Sequence, residues 1–312
     1  MFFESFSYSV ISKTDVNYPE CFKYIKNAPE KVFVAGKLIE RDFEGVAVIG
    51  SRLMSSYGRD AIKSIVSDLA SSGITIVSGL AFGVDVYSQE TALELGARTV
   101  AFMSSGLNLI SPKSNFLVAK RIVESDLGAV ISSYEPNFQA QKYTFIYRDH
   151  LLAAFCKAVL VIEAGQSSGT HHTVDAALAI GKDVFAVPGS IFSEVSAGCN
   201  YYIKHGAHPA TSAQDILDIV KFSFLLRDKN MHAGKKGGLS KSVSWEVLRK
   251  SLTGFELEVF GKVLVEGVSV EELAQVLLQP VVRIMQAVSI LEVHGFVVVE
   301  GNVIKRLVNV LD

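Results

Sequence analysis

Cysteine is scarce in this sequence. The chain of 312 residues contains three cysteines, Cys21, Cys156 and Cys199, which are too few and too scattered for a disulfide framework or a zinc site. It also lacks any apolar run of the roughly 18 to 20 uncharged residues that a membrane span requires. Residues 1–10 lack the basic start and the small-residue cleavage site of a signal peptide. These absences predict a cytoplasmic protein.

An excess of positive charge is absent too. Thirty Lys and Arg residues against 32 Asp and Glu residues give a net charge of −2, which excludes a protein that is basic over its whole surface. Taken alone, this balance argues against a nucleic-acid partner. The charge is unevenly spread, however, because residues 221–245 carry six basic side chains and one acidic side chain in a stretch rich in Gly and Ser. A local cationic pocket therefore remains compatible with the composition.

The length and the hydrophobic content of 49% predict about two domains. We expect an N-terminal extension that packs on the core over residues 1–43, and an α/β core over 44–222. The Gly- and Ser-rich basic stretch predicts a flexible linker over 223–245. A small C-terminal domain is expected over 246–312.

The core sequence alternates short apolar runs with segments of helical period, which is typical of a doubly wound, mostly parallel sheet in the α/β class. Strands are predicted over 45–49, 74–77, 99–103, 129–132, 158–162 and 183–187. Helices are predicted over 57–70, 84–95, 115–124, 147–155 and 170–180. Because such sheets bind ligands beyond the carboxyl ends of their strands, we expect the functional residues there.

The C-terminal segment has a different pattern. Helices are predicted over 255–266, 269–278 and 281–294, the second opened by a capping box of Ser269 and Glu272, and an apolar hairpin over 295–305 follows. This order predicts a winged helix-turn-helix domain. Residues 281–288, the expected recognition helix, contain one cation, so we expect this domain to bind protein or to pack on its own core rather than to bind duplex DNA.

Small-residue loops follow four predicted strands, at residues 50–52, 78–83, 104–106 and 163–170. Glycines allow close approach of a ligand, and exposed N–H groups and hydroxyls favour anions. Any one such loop is also a common strand-to-helix turn. Four of them at one sheet edge, with Arg52 and Arg148 as bidentate donors, predict a cradle for phosphates. No G-x-G-x-x-G follows a strand and no P-loop is present, which disfavours the usual dinucleotide and nucleoside triphosphate sites.

Residues 135–148 interleave aromatic and basic side chains. Successive bases of a single strand can stack on such rings, while Lys142 and Arg148 follow the backbone. Phe138 and Tyr143, in the polar part of the segment, are interpreted as functional. For Phe145 and Tyr147, stacking on bases and burial at the start of a helix both remain open.

A series of short motifs runs in a fixed order through residues 18–220. They are Tyr18-Pro19, Gly36, Val48-Ile49-Gly50-Ser51-Arg52 with Tyr57-Gly58, Ile76-Val77-Ser78-Gly79-Leu80-Ala81-x-Gly83-Val84-Asp85, Gly106-Leu107 with Pro112 and Asn115, Glu163-Ala164 with Ser168-Gly169, Val184-Phe185-Ala186-Val187-Pro188-Gly189, Gly198 with Asn200, and Gly206-Ala207 with Asp215-Ile216. This order resembles the DprA/Smf family of DNA recombination mediators. The resemblance implies an extended Rossmann-like core that dimerises, binds single-stranded DNA at the strand ends, and loads the RecA recombinase onto it during natural transformation, without catalysis.

Taken together, the loops, the aromatic segment and the resemblance define an expected set of DNA- and phosphate-binding residues. They are Gly50, Ser51, Arg52, Ser78, Gly79, Phe82, Gly83, Lys142, Phe145, Arg148, Ser168, Gly169 and Thr170. Asp85 is expected to orient a loop, because an unpaired carboxylate beside a phosphate is repulsive.

The chain departs from the family pattern at three places. Asp149-His150 replaces the usual Asn-Arg, Gln89 replaces a usual His, and Thr170-His171-His172 replaces Ser-Leu-x. The adjacent His171 and His172 point to different parts of a helix surface and cannot share a metal, so no metal site is predicted.

Two other function classes remain open. Glu163 with residues 168–170 distantly resembles the Gly-Gly-x-Gly-Thr loop and catalytic carboxylate of Rossmann-like nucleotide N-glycosidases, and such an enzyme needs this carboxyl in the pocket as a general acid. A winged-helix transcription regulator is the other alternative.

Overall fold

The computed structural model describes residues 6–166, 168–220, 242–244, 252, 254–263, 267–293, 296–300, 303–306 and 309–311. The chain forms two compact units, Met1–Leu217 and Asp218–Asp312. The predicted linker, apart from 242–244, lies outside the described residues, and the domain limits at 43, 222 and 245 stay predictions.

The first unit is built on a nine-stranded sheet in the order β1-β2-β6-β5-β4-β3-β7-β8-β9. Its strands are β1 Tyr8–Ser12, β2 Lys31–Gly36, β3 Val46–Ile49, β4 Ile76–Ser78, β5 Thr99–Met103, β6 Gly128–Ser132, β7 Ala158–Val161, β8 Asp183–Ala186 and β9 His208–Pro209. Strands β3 to β9 are mutually parallel, and β2 is antiparallel to both of its neighbours. The predicted α/β class and mostly parallel sheet are confirmed.

Helices cover both faces of this sheet. They are α1 Ser56–Ala61, which continues through a π-helical turn at Ile62–Val66 into α2 Ser67–Ser71, then α3 Val84–Glu94, α4 Phe116–Glu124, α5 Lys142–Phe155, α6 Thr170–Ala179 and α7 Ala197–Lys204. Alternate residues of β5 enter opposite layers: Val100 and Phe102 pack with residues of α5 and α6, whereas Ala101 and Met103 pack with residues of α4. Because these strands are buried on both faces, their sequences are continuous apolar runs.

Three strands of the first unit were not predicted from the sequence, and one helix begins earlier than predicted. The missed strands β1, β2 and β9 lie toward the two sides of the sheet, and β9 has only two residues. Helix α5 begins at Lys142 rather than at residue 147. Residues 142–146, which lie outside the predicted helix, are therefore helical.

The second unit contains α8 Gly254–Lys262, α9 Val270–Val276 and α10 Val281–Val293, with a sheet of β11 Val268–Ser269, β13 Val303–Arg306 and β12 Val297–Glu300 in that order. A further pair joins β10 Ser242–Ser244 to β14 Asn309–Leu311. The capping box is present, since Ser269 N donates to Glu272 Oε2 at 2.9 Å and Glu272 N donates to Ser269 Oγ at 3.1 Å. Three helices with a small sheet are the elements of a winged helix.

Among the described residues, no single helix is long and apolar enough to cross a membrane. The helices Val270–Val276 and Val281–Glu292 reach that length and apolar composition only when they are counted together, and they are bent by 114° relative to each other.

Candidate nucleic-acid interface

The sheet reverses its winding direction between β3 and β7. Strands β4, β5 and β6 follow β3 on one side, whereas β7 and β8 lie on the other. A crevice for ligands forms at such a switch point, outside the carboxyl ends of the two strands. The loops that follow β3 and β7 lie there, and they contain the predicted residues 50–52 and 168–170.

Close backbone contacts join the loops after β3, β4 and β7. Ser51 N donates to Glu163 O at 2.7 Å, and Val84 N donates to Ser51 O at 3.2 Å. Gly83 has a φ of +73°, and a Cβ there would lie 2.7 Å from Arg52 O and still closer to Ser51 O. Only glycine fits this position without strain. The geometry thus brings residues 50–52 and Gly83 together, as predicted from the sequence.

Arg52 is exposed at the end of the first loop. Its guanidinium carbon lies 5.4 Å from the centre of the Phe145 ring, a distance suited to a cation–π contact. The neighbouring Ser51 hydroxyl accepts from Leu53 N at 3.1 Å and can still donate its own proton. The exposed Arg52 guanidinium therefore lies on the Phe145 ring, in the loop that borders the crevice between β3 and β7.

Arg148 occupies a different environment from the one expected. Its side chain is buried, with 5% of the residue exposed. Nη1 donates to Gly79 O and, at 2.8 Å, to Phe102 O, while Nε donates to Asp149 Oδ1 at 2.8 Å. The two carbonyl groups lie at the ends of β4 and β5, and Asp149 is the next residue of α5. The guanidinium that was expected to face a phosphate is instead held by these hydrogen bonds to the protein.

Two carboxyl groups flank this arginine. Burial raises the pKa of Asp85 to about 6, although the Arg148 guanidinium and the Gly79 N–H, which donates to Asp85 at 3.1 Å, act in the opposite direction. Burial also raises the pKa of Asp149, again opposed by Arg148. Asp85 thus orients the Gly79 loop, as predicted, and the predicted site residue Gly79 packs directly on Arg148.

The turn after β4 is held in a strained conformation. Leu80 has a φ of +53°, which is uncommon for a residue with a side chain. Asn115, which directly precedes α4, donates from Nδ2 to Leu80 O at 2.9 Å and so fixes the turn. Ser78, a predicted site residue, is fully buried and donates to Val48 O at 2.6 Å. Ser78 thus supports the loop from inside the sheet.

Phe82 and Tyr143 are the accessible rings of this region, at 50% and 56% exposed. The predicted Lys142 is exposed beside Tyr143 at the start of α5. Phe145 is half-buried between the guanidinium groups of Arg52 and Arg148, the second at 5.9 Å. These positions leave aromatic and basic surface in contact with solvent at the carboxyl edge.

The other two rings of this segment have protein partners. Phe138 stacks on Tyr134 at 4.8 Å between ring centres, and Tyr147 OH donates to Asn27 O at 2.7 Å. Tyr134 was not identified from the sequence, because no spacing rule relates it to Phe138 across the turn.

The loop after β7 leads into α6. Thr170 N donates to Ser168 Oγ at 3.3 Å, and the hydroxyls of Ser168 and Thr170 are 2.7 Å apart. Gly169 is exposed, and nothing lies within 4 Å of a Cβ placed on it. This second predicted cradle therefore presents an open backbone at Gly169, whereas Thr170 is buried.

Glu163 does not face the crevice as a free acid. It is 1% exposed, its Oε2 accepts from Ser55 N at 2.9 Å, and its Oε1 accepts from the Ser55 hydroxyl. Ser55 in turn caps α1 by accepting from Gly58 N. The carboxylate thus fixes the loop that carries Arg52. Within the described part of the chain, no group of three His, Cys, Asp or Glu side chains is arranged to hold a metal ion.

Sequence comparisons with known proteins agree on one family. A family model described as DNA recombination-mediator protein A matches residues 9–221. The DNA processing protein DprA of Streptococcus pneumoniae is 37% identical over 216 residues, which are 69% of this chain and 74% of that protein. The Smf protein of Escherichia coli is 34% identical over 205 residues, or 66% of this chain and 54% of that protein.

Solved structures of two such proteins share the fold. The X-ray structure of the Streptococcus pneumoniae protein superposes with a TM-score of 0.62 at 36% identity, covering 69% of this chain and 74% of that one. DNA processing protein A from Helicobacter pylori, whose structure concerns its single-stranded DNA binding mode, gives 0.61 at 29% identity, covering 72% and 97%.

Proposed function

The chain belongs to the DNA recombination-mediator protein A family, and on that premise we propose that its first unit binds single-stranded DNA at the carboxyl edge of the nine-stranded sheet. The observation that carries the proposal is the exposed Arg52 guanidinium on the Phe145 ring, set in loops that Gly83 brings into contact. A cation beside an aromatic ring suits the phosphate and base of one nucleotide.

Within this site the residues take different roles. Arg52, the Ser51 hydroxyl and the loop at 168–170 contact phosphates, and Lys142 follows the strand from the start of α5. Phe82 and Phe145 contact bases. Arg148 and the buried Ser78 hold the loop after β4 in place through hydrogen bonds within the protein. This division is supported by the exposure of Arg52, Phe82 and Lys142 and by the internal hydrogen bonds of Ser78 and Arg148.

Binding to single strands is tested by fluorescence anisotropy with the full chain. A labelled strand of mixed sequence and its duplex are titrated at the same salt concentration. We expect tighter binding of the single strand with little dependence on sequence, because the contacts are to backbone and ring faces. Equal binding of the duplex would contradict the proposal.

We also propose that the bound strand is passed to the RecA recombinase, so that the protein protects incoming DNA and loads RecA onto it during natural transformation. The family description of a recombination mediator supports this. The test measures the rate at which RecA covers a strand already occupied by single-strand-binding protein. Acceleration by this chain is expected, and an unchanged rate would contradict it. Such a role places the protein in the cytoplasm, with the recombinase.

A homodimer formed through the first unit is the proposed assembly, and analytical ultracentrifugation over a range of concentrations tests it.

The proposed role requires no catalysis. Glu163 accepts hydrogen bonds from the backbone N–H and the hydroxyl of Ser55, which supports a non-catalytic role over hydrolysis of N-glycosidic bonds. Incubation with nucleoside monophosphates should release no free base.

For residues 246–312, we propose a winged-helix domain that contacts protein rather than duplex DNA. Arg283, the cation of α10, lies 4.4 Å over the Phe255 ring and donates to Gln279 Oε1 at 2.7 Å. Exposed apolar residues, Val282 and Met285, share that helix. Tight duplex binding that disappears on Arg283→Ala would contradict this role.

A further inference from the structure

A cavity of about 490 Å³ lies between α6 and α7, apart from the residues assigned above to the DNA site. Six polar or aromatic residues line much of it: Gln166, His171, Asp175, Tyr201, Tyr202 and His205. Apolar side chains such as Val174 and Val184 form its floor. Its volume is in the range of pockets that hold small ligands.

The walls of the cavity are flat aromatic surfaces. The Tyr201 and His205 rings stack with their centres 4.0 Å apart and their planes at 30°. Tyr201 is 51% exposed, so its ring is accessible to a ligand. His171 meets Tyr202 edge-on at 5.2 Å. A planar ring that enters here finds an aromatic face to stack on, which favours a heterocyclic base.

The polar groups suit the edge of a base better than a phosphate. Gln166 offers an amide, and Asp175 offers a carboxylate that accepts hydrogen bonds. Among the described residues that line the cavity there is no lysine or arginine. A phosphate placed beside Asp175 would be repelled, whereas the exocyclic amino group or ring N–H of a base would be bound.

A hydrogen-bonded chain connects the cavity to the loop after β7. The Gln166 carbonyl can only accept, so His171 donates to it from Nε2 at 2.8 Å. On the other side of the ring, Nδ1 of His171 lies 2.9 Å from the hydroxyl oxygen of Tyr202. His171 directly follows Thr170. The cavity therefore opens beside the 168–170 backbone, where the proposed function places a phosphate.

We propose that this cavity receives one base of the bound single strand, from the nucleotide whose phosphate rests on residues 168–170. The inference rests on the proposed function and adds a base-binding subsite to it. Tyr201 and His205 supply the stacking face, and Gln166 and Asp175 bind the edge of the base. The subsite lies toward the β9 side of the sheet and so lengthens the path of the strand beyond Arg52 and Phe145.

The experiment combines a variant of the protein with a strand that lacks one base. Tyr201→Ala should weaken binding of an intact strand by about 5- to 150-fold, the range for loss of one stacked base, without changing the salt dependence. Tyr201→Phe keeps the ring and should bind like the wild type. Tyr8→Ala is the matched control, because Tyr8 is a partly exposed ring on β1, at the opposite side of the sheet.

An abasic site is then moved along the strand. At one position, the abasic strand should bind wild type and Tyr201→Ala equally, because the base that meets Tyr201 is gone. If Tyr201→Ala binds intact strands like the wild type, or if no abasic position removes its effect, the subsite is refuted.

A free nucleoside monophosphate is the remaining comparison. If it binds as tightly as the strand does, in a manner dependent on Tyr201, then the cavity serves free nucleotides and the proposed subsite is wrong. Failure of the wild-type chain to bind any single strand would instead refute the proposed function itself.

Discussion

Arg52 and Arg148 should differ in how their loss changes the salt dependence of strand binding. Arg52 is exposed and Arg148 is buried on Gly79 and Phe102 carbonyls, so only the first is placed to neutralise a phosphate. For single strands, the slope of log affinity against log salt changes by about 0.7 per phosphate contact. Arg52→Ala should therefore reduce the slope by about 0.7. Its affinity loss should be up to about 1 kcal/mol, roughly fivefold, because the group is solvent-screened.

Arg148→Gln should lower affinity while the slope stays at the wild-type value. The loss arises because Gly79 and Phe102 lose a buried donor and Asp85 loses its counter-charge, so the loop shifts. Breaking a buried ion pair costs about 3 to 5 kcal/mol, so Arg148→Gln should lower the free energy of unfolding enough to endanger the folded state. The double variant Arg148→Gln/Asp149→Asn removes one of the uncompensated carboxylates and keeps the comparison possible.

The assay is fluorescence anisotropy between about 50 and 200 mM salt, the range over which phosphate contacts are resolved. Thermal unfolding of each variant is measured in parallel. A slope reduced by about 0.7 in the Arg148 variants, or an unchanged slope in Arg52→Ala, would refute the assignment of roles.

Three further predictions follow from the same contacts. Asp149→Asn keeps an acceptor for Arg148 Nε but removes a partly buried negative charge, so strand affinity measured by anisotropy should rise by roughly threefold. Weaker binding would contradict the electrostatic argument. Gly83→Ala should lower the free energy of unfolding, measured by urea titration, by about 1 to 3 kcal/mol, because its φ is +73° and its Cβ would meet Arg52 O. Gly169→Ala is the control and should change that free energy by less than about 0.5 kcal/mol, so equal effects of the two substitutions would be inconsistent with this prediction. The raised pKa of Asp85, about 6 against 3.8, means that the folded state favours its protonated form, so this group's contribution to stability is present below pH 4 and is lost as pH rises through 6. The wild type should lose about 3 kcal/mol relative to Asp85→Asn across that window, and parallel stability curves would contradict it.

The parallel core was predictable because its strands are buried on both faces. Val46–Ile49 and Thr99–Met103 are entirely buried, so they appear in the sequence as unbroken apolar runs bounded by Gly and Ser. Strand β1 could not be found this way, because it is mostly exposed and is fixed by pairing with β2. Pairing of that kind depends on residues distant in sequence.

The candidate site was predictable as far as its glycines and loops. Gly83 and residues 50–52 meet because parallel strands end at one edge of the sheet. The orientation of Arg148 was not predictable, since it is set by hydrogen bonds to the carbonyl groups of Gly79 and Phe102, which are 69 and 46 residues away in the sequence. The cavity beside Tyr201 depends on how α7 packs on α6, which no local spacing encodes.

Hydrogen–deuterium exchange of the full chain, with and without a saturating single strand, tests the location of the site most directly. The strand should slow exchange in the peptides that cover residues 50–55, 79–83 and 165–172. Peptides from β1 and β2 should be unchanged. Protection confined to β1 and β2 or to the second unit, with no change in the three loops, would contradict binding at the carboxyl edge of the sheet.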